Sequence, residues 1–168
     1  MKRRPVDHEI ARSANVAEQR TPKGEALNDL ILTLFRVNGR LNKAGDALCS
    51  DLDLTSARWQ VLGAITDQPR TVAQIARQYE LTRQGVLWVV QAMVKDGLVE
   101  LVRNPDHRRA KLVRQTSLGF ALYEEISRRQ RYWVSELAVP FSATELKAAA
   151  DLLRRFAEVI VADEEEGG

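Results

Sequence analysis

Cysteine and histidine are scarce in this chain of 168 residues, which has one cysteine and two histidines. A single cysteine cannot close a disulfide within the chain, so we expect Cys49 to be a small buried residue. His8 and His107 have no partner at the spacing of metal ligands, and one cysteine cannot complete a structural zinc site. The sequence therefore predicts no metal site.

Other patterns are missing as well. There is no serine-centred elbow, no glycine loop that could cradle a phosphate, and no cluster of catalytic histidines. We therefore expect neither an enzyme nor a bound cofactor. No uninterrupted apolar run is long enough to span a bilayer, and the basic N-terminus lacks the apolar segment of a secretory leader. These absences favour a cytoplasmic protein with no membrane partner.

The charge of the chain is small overall but unevenly distributed. The net charge is +2, and the hydrophobic and charged fractions of 45% and 29% are those of a globular chain. The length fits one compact domain, with or without an added dimerisation layer. Basic residues cluster near residue 108 and at 128–131, whereas acidic residues cluster at 163–166. A local cationic stripe is compatible with binding to phosphates.

Residues 71–96 contain two helical patterns, which are separated by a short break. The first begins at Thr71, where Gln74 follows at the spacing of a capping box. The second begins at Thr82 and ends before Gly97, which can serve as its stop signal. Its apolar stripe consists of Val86, Val89, Val90 and Met93. This arrangement predicts a helix-turn-helix.

The opposite face of the second helix carries side chains suited to reading DNA. Arginine can bind guanine and glutamine can bind adenine in the major groove, each through two hydrogen bonds. The alternative is an ordinary surface helix with a polar outer face. The predicted DNA-contacting residues of this helix are Thr82, Arg83, Gln84, Leu87, Trp88 and Gln91.

A hairpin with a basic tip follows this helix. Residues 98–102 and 110–114 are short and rich in β-branched or apolar residues, which is typical of strands. The turn between them contains His107, Arg108 and Arg109, which suit a phosphate backbone or a narrow minor groove. We therefore predict a mostly α (α+β) fold, a winged helix-turn-helix at 51–116 with a two-stranded wing.

Helical patterns on both sides flank this unit. The apolar stripe at 24–50 is wider than one small domain needs, so part of it is expected to face a second subunit. Two recognition helices on a two-fold axis read two half-sites, so we predict that 24–50 and 117–162 form a dimerisation region. An intramolecular helical cap is the alternative. Residues 1–23 are predicted to be a flexible arm, whose basic start either touches DNA or has no role, and residues 163–168 an acidic tail.

Residues 54–116 resemble the MarR (multiple antibiotic resistance regulator) family of transcription factors. The likeness lies in LTSARWQVLGAI, LTRQGVLWVVQAMVKDGLVE and NPDHRRAKLVRQT, which match a supporting helix, a recognition helix with its exit strand, and a wing. The chain departs from the family pattern at Trp88, His107 and Gln115. Some family members sense oxidants through a cysteine, although Asp51 and Asp53 beside Cys49 disfavour a thiolate.

The resemblance implies a homodimeric repressor that binds a pseudo-palindromic double-stranded DNA operator and is released by a small phenolic or aromatic acid-like ligand. It places Trp59 near the ligand cleft, where Arg58 could pair with a carboxylate. Trp59 as a core residue and Arg58 as a solvated one are the alternatives. A constitutive or architectural DNA-binding protein without an effector, and an interaction module or enzyme that does not bind DNA, also remain open.

Overall fold

The structure, a computed structural model, describes residues 20–107 and 109–166, and their side chains as far as residue 161. The helices are α1 (Pro22–Cys49), α2 (Ser56–Ala64), α3 (Val72–Gln78), α4 (Arg83–Lys95), α5 (Ser117–Ala138) and α6 (Ala143–Glu166). A 3-10 turn spans Ser50–Leu52, and the strands are β1 (Arg70–Thr71), β2 (Val99–Val102) and β3 (Leu112–Gln115). The predicted mostly helical winged fold is confirmed.

The sheet has one strand more than the sequence predicts. β2 and β3 form the expected antiparallel wing, in which Leu101 pairs with Val113. On the other edge of β3, β1 adds a two-residue strand with Arg70 opposite Val113, giving the order β1-β3-β2. Two residues are too few to show an alternating pattern, so β1 has no signature in the sequence.

The helix starts follow the predicted capping signals. Thr71 and Gln74 form a complete capping box, and the Thr82 side chain accepts a hydrogen bond from the Gly85 amide. A second box joins Ser142 to Glu145, whose amide donates to Ser142 Oγ over 3.2 Å. Each cap satisfies amides that the first helical turn leaves without a partner.

The outer helices extend further than predicted. α1 begins at Pro22, inside the predicted arm, because Thr21 caps the Gly24 amide and proline suits the first helical position. The rest of that arm, residues 1–19, lies outside the described residues. At the other end, α6 continues to Glu166 through most of the predicted acidic tail.

The chain divides into two compact units, one ending at Ala47 and the other beginning at Leu48. The second unit holds a hydrophobic core to which α2, α3, α4 and the sheet contribute, with Ile126 added from α5. Cys49 is fully buried in this core, as expected for a small apolar residue. No helix within the described ranges is both long and apolar enough to cross a membrane.

Candidate DNA-binding interface

The turn between α3 and α4 fixes the angle at which α4 leaves the core. Glu80 adopts a left-handed conformation with φ of 51°. The Leu81 amide donates to the Ala76 carbonyl over 2.9 Å, and the Glu80 amide donates to the Arg77 carbonyl over 3.4 Å. These two bonds form a Schellman motif, which ends α3 and directs the chain to Thr82. The predicted helix-turn-helix therefore has a geometry determined by backbone bonds.

α4 presents opposite faces to the core and to solvent. Val86, Val90 and Met93 are buried, and Val89 is half-buried. On the outer face the predicted DNA-contacting residues are accessible: Leu87 is half-buried, and the exposed ones are Thr82, Arg83, Gln84, Trp88 and Gln91. The structure thus brings these six side chains to a single surface helix whose other side is anchored.

Hydrogen bonds at the exit from α4 connect this helix to the wing. Gly97 has a φ of +73° and forms a second Schellman motif, with the Leu98 amide donating to Met93 over 2.9 Å. The Thr116 hydroxyl donates to the Gly97 carbonyl over 2.7 Å, and it accepts a hydrogen bond from Gly119. This closely packed junction sets the position of the hairpin relative to α4.

The wing tip is a structured turn. The Asp106 amide donates to the Asn104 side chain over 3.0 Å, and the Ala110 amide donates to the His107 carbonyl. His107 and Arg109 are exposed, whereas Arg108 lies outside the described residues. Along the strands, Arg114 pairs with Glu100 at 2.9 Å on the exposed side of the sheet.

A concave surface joins the wing tip to α3 and to the start of α4. Its volume is about 790 Å³, and residues of both the wing and the helices line it. Arg77, Arg83 and Arg109 lie in its wall with Gln74. Gln74 and Arg77 are not among the DNA-contacting residues predicted from the sequence, although their spacing of three residues places them on one face of α3. Arg70 also lines the concavity but donates to the Ala64 carbonyl, and the other three guanidinium groups suit a phosphodiester backbone.

Side chains from the sheet hold the end of α2 beneath this surface. Gln115 donates to the Leu62 carbonyl over 2.8 Å, and Arg70 donates to the Ala64 carbonyl over 2.6 Å. These carbonyls lie in the last turn of α2, where the amides of a following turn are lacking, and the Leu62 carbonyl also accepts from Ile65 and Thr66. Gln115, a departure from the family pattern, therefore has a structural role in this chain. Arg70 has the same role, because it also bonds to the end of α2.

The two residues predicted to contact a ligand occupy different surroundings. Trp59 is half-buried and packs against the core. Arg58 pairs with Asp96 at the end of α4, over 2.6 Å, and donates to the Asp53 carbonyl. Its guanidinium therefore already has a carboxylate partner within the chain. Neither Trp59 nor Arg58 lines the mainly apolar groove of about 370 Å³ that runs beside Val61, Leu81 and Val89.

An ion-pair cluster connects α5 to the 3-10 turn. Arg129 contacts both carboxylate oxygens of Asp51, at 2.5 and 2.9 Å, and also Glu125 at 2.8 Å. Hydrogen bonds from Arg128 and Arg129 lower the pKa of Glu125 from its ordinary value of 4.5 to about 2. The bond from Arg129 likewise lowers the pKa of Asp51. Within the described residues, no group of three or more potential metal ligands was found.

Comparison with known proteins places these features in a family. A sequence model described as the MarR family matches residues 52–110, which cover the helix-turn-helix and much of the wing. An uncharacterised protein of Mycobacterium tuberculosis is 35% identical over 134 residues, covering 80% of this chain and 94% of the relative. The transcriptional activatory protein BadR of Rhodopseudomonas palustris is 28% identical over 129 residues, covering 74% of each chain.

Solved structures show the same fold. The transcriptional regulator PcaV of Streptomyces coelicolor, crystallised in complex with its natural ligand, matches with a TM-score of 0.62 and 25% identity. The match covers 73% of this chain and 89% of PcaV.

Proposed function

This chain belongs to the MarR family of DNA-binding transcriptional regulators, and we propose that it acts as a homodimeric repressor released from its operator by a small aromatic ligand. The observation that carries the proposal is the concavity that Arg83 of α4 shares with Arg109 of the wing tip, together with the exposed outer face of α4. In this proposal Gln84, Trp88 and Gln91 contact bases, while Arg83 and Arg109 bind phosphates.

Dimerisation is proposed from the last helix. Among the described side chains of α6, Phe156 alone is half-buried and all the others are exposed. Exposed apolar residues include Leu152, Leu153 and Ile160, which lie on one face with Phe156 at helical spacing. A long apolar stripe exposed to water favours a protein partner. A second copy is the simplest partner, because two recognition helices read two half-sites of a pseudo-palindrome.

We assign DNA binding and dimerisation to different parts of the chain on the basis of these two surfaces. Residues 51–116 bind the operator, while 24–50 and 117–162 supply the dimer contacts. α1 fits this role, because Leu27, Phe35 and Leu41 are exposed on it. The basic start of the chain, residues 1–19, lies outside the described residues and is assigned no part.

Repression is proposed because a dimer that covers its operator needs no additional surface to block a promoter. Activation, which the name of BadR implies for that relative, requires a further contact with the transcription machinery. A reporter gene placed behind the operator, with and without the protein, distinguishes the two. Reporter expression should fall when the protein is present, and a rise would refute repression.

Ligand control is proposed from the surroundings of Trp59 and from the ligand in the PcaV crystal. A half-buried indole suits the ring of a phenol or aromatic acid. The apolar groove beside Val61 is a separate place for such a ring, because Trp59 and Arg58 do not line it. If Arg58 bound the carboxylate of such a ligand, it would exchange Asp96 for it, and the pair joining α2 to α4 would open. A ligand acts in this way only through a different affinity for the two dimer states.

The experiment is a selection from random duplexes with the purified protein, followed by titration of the selected duplex against a scrambled one. The protein should prefer the selected duplex as a dimer, and a panel of phenols and aromatic acids should contain a compound that weakens this binding. Specific binding that no compound weakens would favour the constitutive alternative. Equal affinity for both duplexes would refute the proposed function.

A further inference from the structure

Trp88 is an unusual residue for the outer face of α4. Its side chain is 65% exposed, although an indole is among the largest apolar groups in proteins. At about 100° per residue, it lies within roughly 30° of the direction opposite the buried stripe of α4. It is therefore near the centre of the surface that faces the DNA, and no described part of the chain covers it.

The neighbours of Trp88 limit what it can contact. Gln84 and Gln91, one helical turn before and after it, are both exposed. Glutamine pairs best with adenine in the major groove, and the partner of adenine is thymine. The C5-methyl of thymine is the one apolar group that an unmodified base pair presents there. An apolar side chain between two adenine-reading ones is thus placed against the methyl group of an A·T pair.

We propose that Trp88 determines operator specificity by packing against the thymine methyl of an A·T pair at the centre of each half-site. This inference rests on the proposed function and adds the base chemistry that α4 reads. It implies half-sites rich in A·T at their centre, with Gln84 and Gln91 on the flanking adenines. It also assigns the departure at position 88 a role in choosing DNA.

The test uses one selected duplex prepared in two forms, with thymidine and with deoxyuridine, which differ by the C5-methyl alone. Wild-type protein should bind the uracil form about fourfold more weakly for each methyl lost, the worth of one buried carbon. For a dimer on two half-sites, the loss is about sixteenfold. Trp88→Gln should bind more weakly than wild type and with equal affinity for both forms.

Arg109→Ala serves as the matched control, since it removes a phosphate contact on the same surface. Its affinity should fall on both forms while their ratio stays at the wild-type value. Circular dichroism on each variant confirms folding, which the exposure of both side chains favours. A third duplex, with C·G in place of the implicated T·A pair, should regain about fourfold in affinity when its cytosine carries a 5-methyl group.

The experiment distinguishes failure of this inference from failure of the proposed function. If wild type prefers its selected duplex over a scrambled one but binds the thymine and uracil forms equally, this inference is wrong and the proposed function stands. The same holds if Trp88→Gln retains the ratio, or if 5-methylcytosine restores no affinity. If wild type prefers no duplex at all, the proposed function fails and the inference fails with it.

Discussion

α4 and α6 are both amphipathic, but among the described residues only α4 has its apolar face covered. In α4, Val86, Val90 and Met93 are exposed by 3% or less. In α6, Leu152 and Leu153 remain 45% and 36% exposed. A helix of 24 residues gains most of its stability from packing rather than from propensity. The comparison teaches that periodicity reports which face will be buried, and says nothing about which chain buries it.

The largest effect is expected from a charged substitution on the apolar face of α6. Leu153→Glu places a charge in the proposed dimer interface, which costs about 3 kcal/mol or more per copy when the charge is buried without a partner. The variant should sediment as a monomer at concentrations where wild type is a dimer. Its winged core should stay folded, because the buried cluster contains no residue of α6.

Lys147→Glu is the control for this variant. Position 147 is about 180° from Phe156 around the same helix, at 100° per residue. It also introduces a glutamate into α6, but on the polar face, and the dimer should persist. A wild-type protein that sediments as a monomer, or a Leu153→Glu variant that stays dimeric, would contradict the proposed interface.

The next largest effect concerns the junction of the winged core. A Cβ at Gly119 would lie 2.0 Å from the Leu98 carbonyl oxygen, a backbone atom that cannot move aside easily. Gly119→Ala should therefore reduce the free energy of unfolding by about 3 kcal/mol. Gly97→Ala meets no atom within 4 Å and should cost about 1–2 kcal/mol, from its positive φ alone. Denaturant unfolding compares the two, and equal losses would contradict the steric explanation.

Contacts between residues close in the sequence could be predicted, whereas contacts between distant residues could not. The caps at Thr71 and Thr82 involve residues three apart, so local patterns reveal them. The buried stripe of α4 is equally local. The bonds from Gln115 to Leu62 and from Arg58 to Asp96 join residues 53 and 38 positions apart. No single-sequence pattern encodes such separations, and β1 is likewise defined only by the strand beside it.

The DNA-binding surface divides in a similar way. The outer face of α4 follows from helical spacing, so its six residues could be selected before the fold was known. Arg77 was not predicted, because only the fold shows that it lines the same concavity as Arg109 of the wing tip. The surroundings of Arg58 also required the fold, since Asp96 lies in another helix cap.

A moderate effect, confined to function, is expected on the exposed face of α4. Gln84→Ala should cost about 1–3 kcal/mol on the selected operator and little on scrambled DNA, because it removes a base contact. Arg109→Ala should weaken binding to both duplexes and flatten the salt dependence by about one phosphate's worth of slope. Paired titrations at fixed and varied salt measure both quantities.

Arg83 distinguishes the two kinds of contact at the start of α4. If Arg83 reads a base, Arg83→Ala lowers operator affinity alone; if it holds a phosphate, both affinities fall together. We expect the second result, because Arg83 lines the concavity that also contains Arg77 and Arg109. Retention of the full operator preference by both Gln84→Ala and Trp88→Gln would show that α4 is not the reading helix.

The smallest effect is expected from a substitution of Glu125, which lies in α5. Its pKa is lowered from 4.5 to about 2 because Arg128 and Arg129 bond to its ionised form. A lowered folded-state pKa stabilises the protein fully above pH 4.5, and this contribution is lost as the pH falls towards about 2. Glu125→Gln should therefore lower the Tm slightly at neutral pH, and its Tm should converge with that of wild type through this acid range. The difference is small because water screens partly exposed ion pairs. Glu124→Gln, an exposed neighbour with the same change of charge, controls for net charge. Identical Tm profiles for the two variants would mean that the contacts of Glu125 with the two arginines do not contribute to stability.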